Sequence, residues 1–572
     1  MSSQSGDGSS FFSRLLSRRP ILLYMSVLYL ITLIIRWIPL FLSPLPYNID
    51  GFSMAGVADG IISSGHWSVD SSVYGVAYNQ KTPFFPMVLT EFSLITGISP
   101  LYVEQYMLPF ITASIPPFFF YFVLRFTRNF TASTAAALFL SFNGLFSFLT
   151  GSIMKESLGL LLIPVALYLY TVRHDPIYRF LLIMILIFIT FDHYRSTLML
   201  NIFLLLLLSW ESVNLFESRK LRMRALALDL LSIPAVGFLS LLYYMWVDMQ
   251  EYYDRAFNIN EVTLFLSVAL IWFLIYLRFM KRSRSQVFKP LSRHLLDWKV
   301  MVLLVAVAAF LLNSRKMVFA GTITTSPVLL EAAAPYVALV ILALLGLSLM
   351  QRYKNDYLAM VAAIFVGTFI PITYSLVRGL DAFSLEILYR SYNFMDFGTA
   401  FSLGVGVAFL YRLSKSRFLE KGDLRRGLPV ALSIFAVVVV LLASTVPLGY
   451  DTVELFGVQN VTYDYEVSAL DWAKSANCSG IATDQRLGDI MRDYNNLSHT
   501  KSLPWKLKYN RTVDSPYIML EDSWATWGAQ MHPSSPVKVT REKISGLMAE
   551  RSVIFSSGHR DSPEGRIYIL RG

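Results

Sequence analysis

Apolar residues occur in long runs along most of the chain, separated by short polar segments. A run of about 18 apolar residues is long enough for a helix to cross a bilayer, so the pattern predicts membrane-spanning helices. We predict about thirteen spans, at 21–43, 105–124, 131–150, 157–172, 180–191, 197–213, 226–246, 262–279, 300–313, 335–350, 357–377, 396–411 and 428–445. The fold class is therefore a polytopic α-helical membrane protein, with a transmembrane domain over 21–445.

Basic residues cluster in alternate segments between the apolar runs, and this alternation predicts the topology. Such clusters lie at 14–19, 125–128 and 219–224, whereas the segment 248–261 between two runs is mainly acidic. The positive-inside rule assigns the basic segments to the cytoplasm. We therefore expect a multi-pass protein of the plasma membrane, with a cytoplasmic tail at 1–20 and an extracytoplasmic C-terminus.

The apolar segment 82–100 breaks this alternation. It is short and contains Pro83, Pro86 and Glu91, and counting it as a span would invert every later loop. We interpret it as a helix on the outer surface of the membrane, within a long first outer loop at 44–104. Long loops with structure of their own are uncommon and often functional, so this loop is a candidate region for chemistry.

The last part of the chain, 446–572, lacks the long apolar runs. It alternates short helix-like and strand-like pieces, which predicts a small soluble α/β domain on the extracytoplasmic side. Four N-x-S/T sequons in this segment are candidate sites of N-glycosylation, and such sites favour an outer location. The sequon asparagines are Asn460, Asn477, Asn496 and Asn510.

Composition agrees with a membrane protein and argues against several functions. The chain is 55% hydrophobic and only 15% charged, and its net charge of +10 lies in loop clusters, so nucleic-acid binding is not expected. The single cysteine, Cys478, excludes an intramolecular disulfide and a cysteine metal site. No phosphate-binding glycine loop and no metal-ligand histidine spacing occur, so no metal or other cofactor is expected to be required.

Asp50 is the main candidate for chemistry. It follows the first span within PYNIDGFSMAGVADG, at 46–60, and precedes a predicted surface helix that Gly65 ends. Two roles are open for Asp50 from the sequence pattern, a helix N-cap and a functional acid.

Further charged and polar candidates lie at the predicted outer ends of spans. A basic residue there can simply reach the lipid head groups, but several together can bind a phosphate at the membrane surface. Asp50 would then take a proton from an acceptor hydroxyl while the cations stabilise the departing phosphate. These candidates are Lys81, Lys155, Glu156, His193, Arg195, Arg378 and Arg390.

The segment from about 20 to 125 resembles the GT-C superfamily of membrane glycosyltransferases. The similarity lies in P-x-P-Y-N-I-D, which ends at Asp50, in G-H-W at 65–67, and in the Q-K-T-P element around Lys81. It is closest in pattern to the protein O-mannosyltransferase and aminoarabinose transferase branch. The resemblance implies an inverting enzyme of the outer membrane face that uses a polyprenyl-phosphate (for example dolichyl-phosphate) sugar. It implies Asp50 as the base and Lys81 near the carrier phosphate.

The partners implied by the resemblance are the polyprenyl-phosphate sugar lipid, membrane lipids, and a glycan, lipid or protein acceptor. Two positions depart from the family pattern. Gly51 stands where many relatives have a second acid, and Thr82 interrupts the K-P-P-L-like element. These departures leave the acceptor chemistry open.

Two alternative functions also remain open. The spacing from Arg36 through Pro39 to Asp50 also resembles the catalytic subunit of oligosaccharyltransferases, whose first-loop aspartate binds a divalent metal. The nearest string to the W-W-D-Y-G signature of that family is W-A-T-W-G at Trp524 to Gly528, which lacks the aspartate. A lipid or glycan transporter or flippase would predict inverted repeats and charges near the membrane midplane. The sequence shows no convincing internal repeat.

Overall fold

The structure is a computed structural model of the 572-residue chain. It describes residues 19–69, 77–218, 223–247, 259–285, 304, 307–308, 311–312, 315, 327–352, 357–379, 382–421, 449–450, 459–531, 536–558 and 565–572. The predicted span at 300–313 lies largely outside the described residues, and the one at 428–445 lies entirely outside them.

Before residue 450, the regular secondary structure of the described residues consists of helices. Many helices begin at a polar residue whose side chain accepts a backbone N–H, as at Asn48, Asn129, Asn143 and Asp175. The helices are α1 (Arg19–Arg36), α2 (Ile49–Ser64), α3 (Ala77–Lys81), α4 (Phe84–Thr96), α5 (Pro100–Thr112), α6 (Ile115–Thr127), α7 (Phe130–Phe142), α8 (Gly144–Gly151), α9 (Ser157–Val172), α10 (Pro176–Asp192), α11 (Tyr194–Ser218), α12 (Met223–Trp246), α13 (Ile259–Ser285), α14 (Pro327–Arg352), α15 (Leu358–Arg378) and α16 (Ala382–Lys421).

Several of these helices are long and apolar enough to cross a membrane. Among the described residues there are six such segments, and a seventh if α7 and α8, which meet at 64°, form one broken span. The six are Pro100–Thr127, Tyr194–Asn214, Ala227–Trp246, Ile259–Ser283, Leu358–Arg378 and Glu386–Leu413. The prediction of a helical membrane protein is thus supported, whereas the count of thirteen spans and the sidedness stay predictions.

The segment 82–100 forms the 13-residue helix α4, which Gly97 ends with a φ of 71°. At 1.5 Å per residue, α4 is about 20 Å long, shorter than the hydrocarbon core of a bilayer. One side of α4 packs against α2 through Phe85 and Leu89, while Leu94 and Ile95 are exposed. Its proposed place on the outer membrane surface stays a prediction.

The C-terminal domain, described from residue 459, combines a mixed sheet with short helices. The sheet order is β2-β1-β3-β5-β4, with β1 parallel to β2 and β3, and β5 antiparallel to β3 and β4. The elements are α17 (Asp464–Ser475), β1 (Ile481–Ala482), α18 (Gln485–Ile490), β2 (His499–Thr500), α19 (Leu503–Lys508), β3 (Tyr517–Glu521), α20 (Arg541–Glu550), β4 (Ser552–Gly558) and β5 (Arg566–Arg571). The predicted α/β character is confirmed, and β2 is an additional strand.

A buried ionic group ties this domain together. The Arg486 side chain lies between Glu466 and Glu521, and all three are almost fully buried. Burial, together with the charge of Glu466, raises the pKa of the Glu521 carboxyl well above its ordinary value.

Candidate functional site

Asp50 lies in the first turn of α2, and Asn48 caps this helix. The Asn48 backbone is extended, with a φ of −140°, and its Oδ1 accepts the Asp50 backbone N–H at 3.0 Å. A carboxylate in the first turn is favoured by the partial positive charge of the helix N-terminus. The N-cap alternative for Asp50 is therefore wrong, because Asn48 has that role. Gly65 ends the helix as predicted, with a φ of 73°.

The expectation of a surface helix is also wrong for α2. Residues on two of its sides are buried, with Phe52, Ala55 and Val57 completely inaccessible. One side faces the helices of the membrane part and the other faces the C-terminal domain, as the composition of two separate cores shows. The Asp50 carboxylate itself remains partly exposed, at 18%.

Among the described residues, Lys155, which lies just before α9, forms an ion pair with Asp50. Its Nζ is 3.5 Å from Asp50 Oδ1, and the Lys155 side chain is 22% exposed. This distance is longer than that of a tight charge-assisted hydrogen bond. Both side chains of the pair are therefore partly accessible to solvent.

Glu156 lies beside this pair and connects it to two further helices. Its Oε2 is 3.2 Å from Arg390 Nη1 on α16 and 3.9 Å from His193 Nε2 between α10 and α11. Glu156 is only 2% exposed, and its Oε1 has no hydrogen-bond partner among the described residues. Asp50 is also near enough to Arg390 to interact with it electrostatically.

His193 is buried and neutral. Burial lowers the pKa of its imidazole well below the ordinary value, and the charges of Arg195, Arg390 and Lys155 lower it further. His193 Nδ1 accepts the Ser196 backbone N–H at 3.4 Å and lies 3.0 Å from the Ser196 hydroxyl oxygen. The other ring nitrogen, Nε2, faces the Glu156 carboxylate at 3.9 Å.

Glu386 completes the group, and the sequence reasoning missed it. Its Oε1 accepts from Arg195 Nη2 at 2.8 Å and lies 3.5 Å from Arg390 Nη2. The available signal was its position four residues before Arg390 on one helix, which places the two side chains on the same face. We call the following residues the Asp50 cluster: Asp50, Lys155, Glu156, His193, Arg195, Glu386 and Arg390.

Two of the predicted site residues have other surroundings. Arg378 Nε donates to Glu261 Oε1 at 3.0 Å, and Arg378 Nη1 donates to Ser384 at 2.9 Å. Lys81 is buried at the end of α3, where its carbonyl oxygen accepts the Tyr243 hydroxyl at 2.7 Å. The segment of Lys81 does pack against α2, because Asn79 donates to Ser53. The roles expected for Lys81 and Arg378 stay predictions.

The sequon asparagines differ in accessibility. Asn477, Asn496 and Asn510 are exposed and each has a positive φ, between 52° and 54°. Asn460 is buried, at 7% exposure, and bonds to Asn48. Of the four candidates, Asn460 is thus inaccessible to modification in the folded protein.

The string closest to the oligosaccharyltransferase signature lies in the C-terminal domain. Trp524, in the string closest to the signature of that family, is 1% exposed within the core of the C-terminal domain. Within the described part of the chain, no three His, Cys, Asp or Glu side chains are grouped so that they could hold a metal ion.

Comparisons with known proteins give similarity to solved structures only. No protein-family model and no curated protein matches the chain. Among solved structures, the chain is similar to the oligosaccharyltransferase of Archaeoglobus fulgidus, crystallised with a tethered acceptor peptide that contains an NVT sequon. The TM-score is 0.49 and the identity 13%, with 88% of this chain and 70% of that chain covered.

Proposed function

We propose that the chain is a membrane glycosyltransferase of the GT-C type. It takes a sugar from a polyprenyl-phosphate carrier, transfers it to an acceptor hydroxyl on the outer face, and inverts the anomeric carbon. The observation that carries the proposal is the pair of Asp50 and Lys155, 3.5 Å apart and partly exposed, within a larger group of cations. The sequence elements around Asp50 and Lys81 that resemble the GT-C superfamily support it.

The geometry suits a displacement at the anomeric carbon. The acceptor oxygen forms a bond to that carbon with its lone pair, and its proton passes to the Asp50 carboxylate. The bond between the anomeric carbon and the phosphate oxygen breaks, and its electron pair leaves with the phosphate. Lys155 and Arg390 stabilise the negative charge that develops there. Atoms and charge balance without another reactant, so no cofactor is needed.

The charges of the Asp50 cluster match this sequence of events. Lys155, Arg195 and Arg390 balance Asp50, Glu156 and Glu386 while His193 is neutral. When Asp50 accepts the proton, the cluster gains one positive charge. The carrier phosphate gains one negative charge at the same moment, because an ester bond to it has broken. The loss of negative charge at Asp50 therefore offsets the gain of negative charge at the carrier phosphate.

The implied location is the boundary between the membrane and the outer aqueous phase. A polyprenyl-phosphate donor keeps its chain in the lipid and presents its phosphate at the ends of the membrane helices. Lys155, His193 and Arg390 all lie at or near such helix ends. The acceptor, a glycan, lipid or protein hydroxyl, would reach the same place from water.

The test is transfer by the purified full-length protein from synthetic polyprenyl-phosphate sugars. Asp50→Asn keeps the size of the side chain but removes the base, so we expect kcat to fall by about 10³-fold. The matched control is Asp59→Asn on the same helix, for which we expect a rate within a few-fold of wild type. Equal unfolding temperatures would show that both variants are folded.

The acceptors and conditions distinguish the remaining functions. Hydroxyl acceptors and a sequon peptide are supplied separately, with and without a divalent metal. Metal-dependent transfer to the peptide asparagine would favour an oligosaccharyltransferase, and movement of the lipid without product would favour a flippase. If Asp50→Asn transfers sugar as fast as wild type, the proposal is wrong.

A further inference from the structure

Helix α2 is held between two separate cores. Phe52 and Ala55 lie in a core made mainly by the C-terminal domain, whereas Met54 and Ala58 lie in a core made by the membrane part. Phe52 also makes an edge-to-face contact with Tyr494, with ring centroids 6.0 Å apart. The C-terminal domain therefore contacts the helix that carries Asp50 directly.

Gly56 brings the backbone of this helix close to the C-terminal domain. A Cβ atom on Gly56 would overlap the carbonyl oxygen of Asp493, and its next neighbours would be the Asp493 carbonyl carbon at 3.5 Å and Tyr494 Cα at 3.6 Å. The obstacle is main chain, which cannot turn aside as a flexible side chain can. Any larger residue at position 56 must therefore shift α2 or the domain facing it.

Asn48 connects the two parts through a single side chain. Its Oδ1 accepts the Asp50 backbone N–H at 3.0 Å, and its Nδ2 donates to Asn460 Oδ1 of the C-terminal domain at 3.2 Å. Asn48 and Asn460 are 9% and 7% exposed, so water has little access to this bond. The amide that caps the first turn of α2 is thus oriented by the C-terminal domain.

From these contacts we propose that the C-terminal domain positions Asp50. Asn48 and Asn460 are positioning residues, and Gly56 permits the close seating of the helix. This inference rests on the proposed function for its effect on catalysis. It assigns the C-terminal domain a part in building the site, whether or not the domain also binds an acceptor.

The first experiment measures kcat and KM for variants at the contact. Asn460→Ala removes the bond to Asn48 but leaves the cap, and we expect kcat to fall about tenfold with little change in the KM for the donor. Asn460→Asp still accepts from Asn48 Nδ2 and should restore most of the rate. Thr462→Val is the matched control, because it removes the same sequon and leaves the bond intact.

The second pair of variants tests the close approach. Gly56→Ala should lower kcat by about 10²-fold, because a displacement of the order of 1 Å at a catalytic group has this effect. Gly546→Ala is the matched control, since a Cβ there meets no atom within 4 Å. Wild-type kcat values for both Asn460→Ala and Gly56→Ala would overturn the inference.

Hydrogen exchange gives a readout that does not depend on activity. We expect backbone amides in the first turn of α2 to exchange faster in Asn460→Ala and Gly56→Ala than in wild type, Thr462→Val or Gly546→Ala. If wild type transfers no sugar but this difference is found, the proposed function is wrong and the positioning contact stands. If the exchange of all five proteins is the same, the positioning inference is wrong.

Discussion

Two ionic clusters lie at opposite ends of the same helices, and they are built differently. The Asp50 cluster gathers at the start of α9 and at the junction of α10 with α11. A second group, the Arg173 cluster, lies at the other end and consists of Tyr170, Arg173, Arg179, Glu211 and Asp229.

In the Arg173 cluster, every nitrogen of the central guanidinium is used. Arg173 Nε donates to Asp229 Oδ2 at 2.9 Å, its Nη1 donates to the Tyr170 carbonyl at 2.6 Å, and its Nη2 donates to Glu211. The guanidinium carbon also lies 3.7 Å from the centroid of the Tyr170 ring. The group is compact and satisfied, which is typical of a cluster that joins helices.

The Asp50 cluster has longer distances and unused atoms. Its contacts around Glu156 and Asp50 measure 3.2 to 3.9 Å, and Glu156 Oε1 and His193 Nε2 lack hydrogen-bond partners among the described residues. Buried polar atoms without partners cost stability, so their presence suggests that a ligand satisfies them. Under the proposed function, the difference is that between a cluster that joins helices and one that binds the donor.

The largest effect on stability should come from Asp229→Asn in the Arg173 cluster. Asp229 is 1% exposed and is shared by Arg173 and Arg179, so the substitution leaves buried positive charge uncompensated. We expect a loss of about 3–5 kcal/mol in the free energy of unfolding, measured by thermal or denaturant unfolding in detergent. The activity per folded molecule should not change. A large loss of activity in the folded fraction would contradict the assignment of this cluster to structure.

Glu156→Gln in the Asp50 cluster should lower activity strongly and stability only a little. The amide removes the charge that orients Arg390 and His193, so kcat should fall by about 10²-fold. Arg390 keeps Glu386 nearby, at 3.5 Å, so we expect stability to fall by only about 1 kcal/mol. Transfer kinetics and unfolding are measured on the same preparation. If Glu156→Gln unfolds as easily as Asp229→Asn and keeps its activity, the two clusters do not differ as proposed.

The smallest expected effect is a pH dependence that originates from His193. Its folded-state pKa lies well below the ordinary value of 6.5, so below about pH 6.5 the unfolded chain binds more protons than the folded one. Stability should therefore decrease as the pH falls from about 6.5, until the folded-state pKa is reached. His193→Gln should reduce the slope of unfolding free energy against pH in this window. If His193→Gln and wild type have the same slope of unfolding free energy against pH, the His193 imidazole is not neutral in the folded protein.

The sequence analysis named all residues of the Asp50 cluster except Glu386. Lys155, Arg195 and Arg390 were candidates because they lie at the predicted outer ends of spans, where the positive-inside rule does not favour basic residues. Glu386 was not predicted, because the sequence around a single acidic residue beside an apolar run does not show which cations on other helices it contacts. Contacts such as that between Arg195 and Glu386 join residues almost 200 positions apart, and no local pattern specifies them.

For the fold as well, features set by local sequence were predicted, whereas features set by contacts between distant residues were not. The Gly65 end of α2 and the strands β1, β3, β4 and β5 follow from local patterns, and the sequence predicted them, whereas β2 was not predicted. The burial of α2 was not predicted, because the helical spacing of Met54, Ala58, Ile61 and Ile62 indicated a surface helix with one apolar side. The small residues Ala55 and Gly56 allow the C-terminal domain to approach α2 from another side.

The bond between Asn48 and Asn460 joins residues 412 positions apart, so it also has a consequence for the order of biosynthesis. The ribosome synthesises α2 long before it synthesises the C-terminal domain that packs against this helix. During most of translation, Asn48 therefore lacks its bond to Asn460, which forms only when the C-terminal domain has folded. A glycan attached early to Asn460 would prevent this bond, so we expect this sequon to be unmodified in the folded protein.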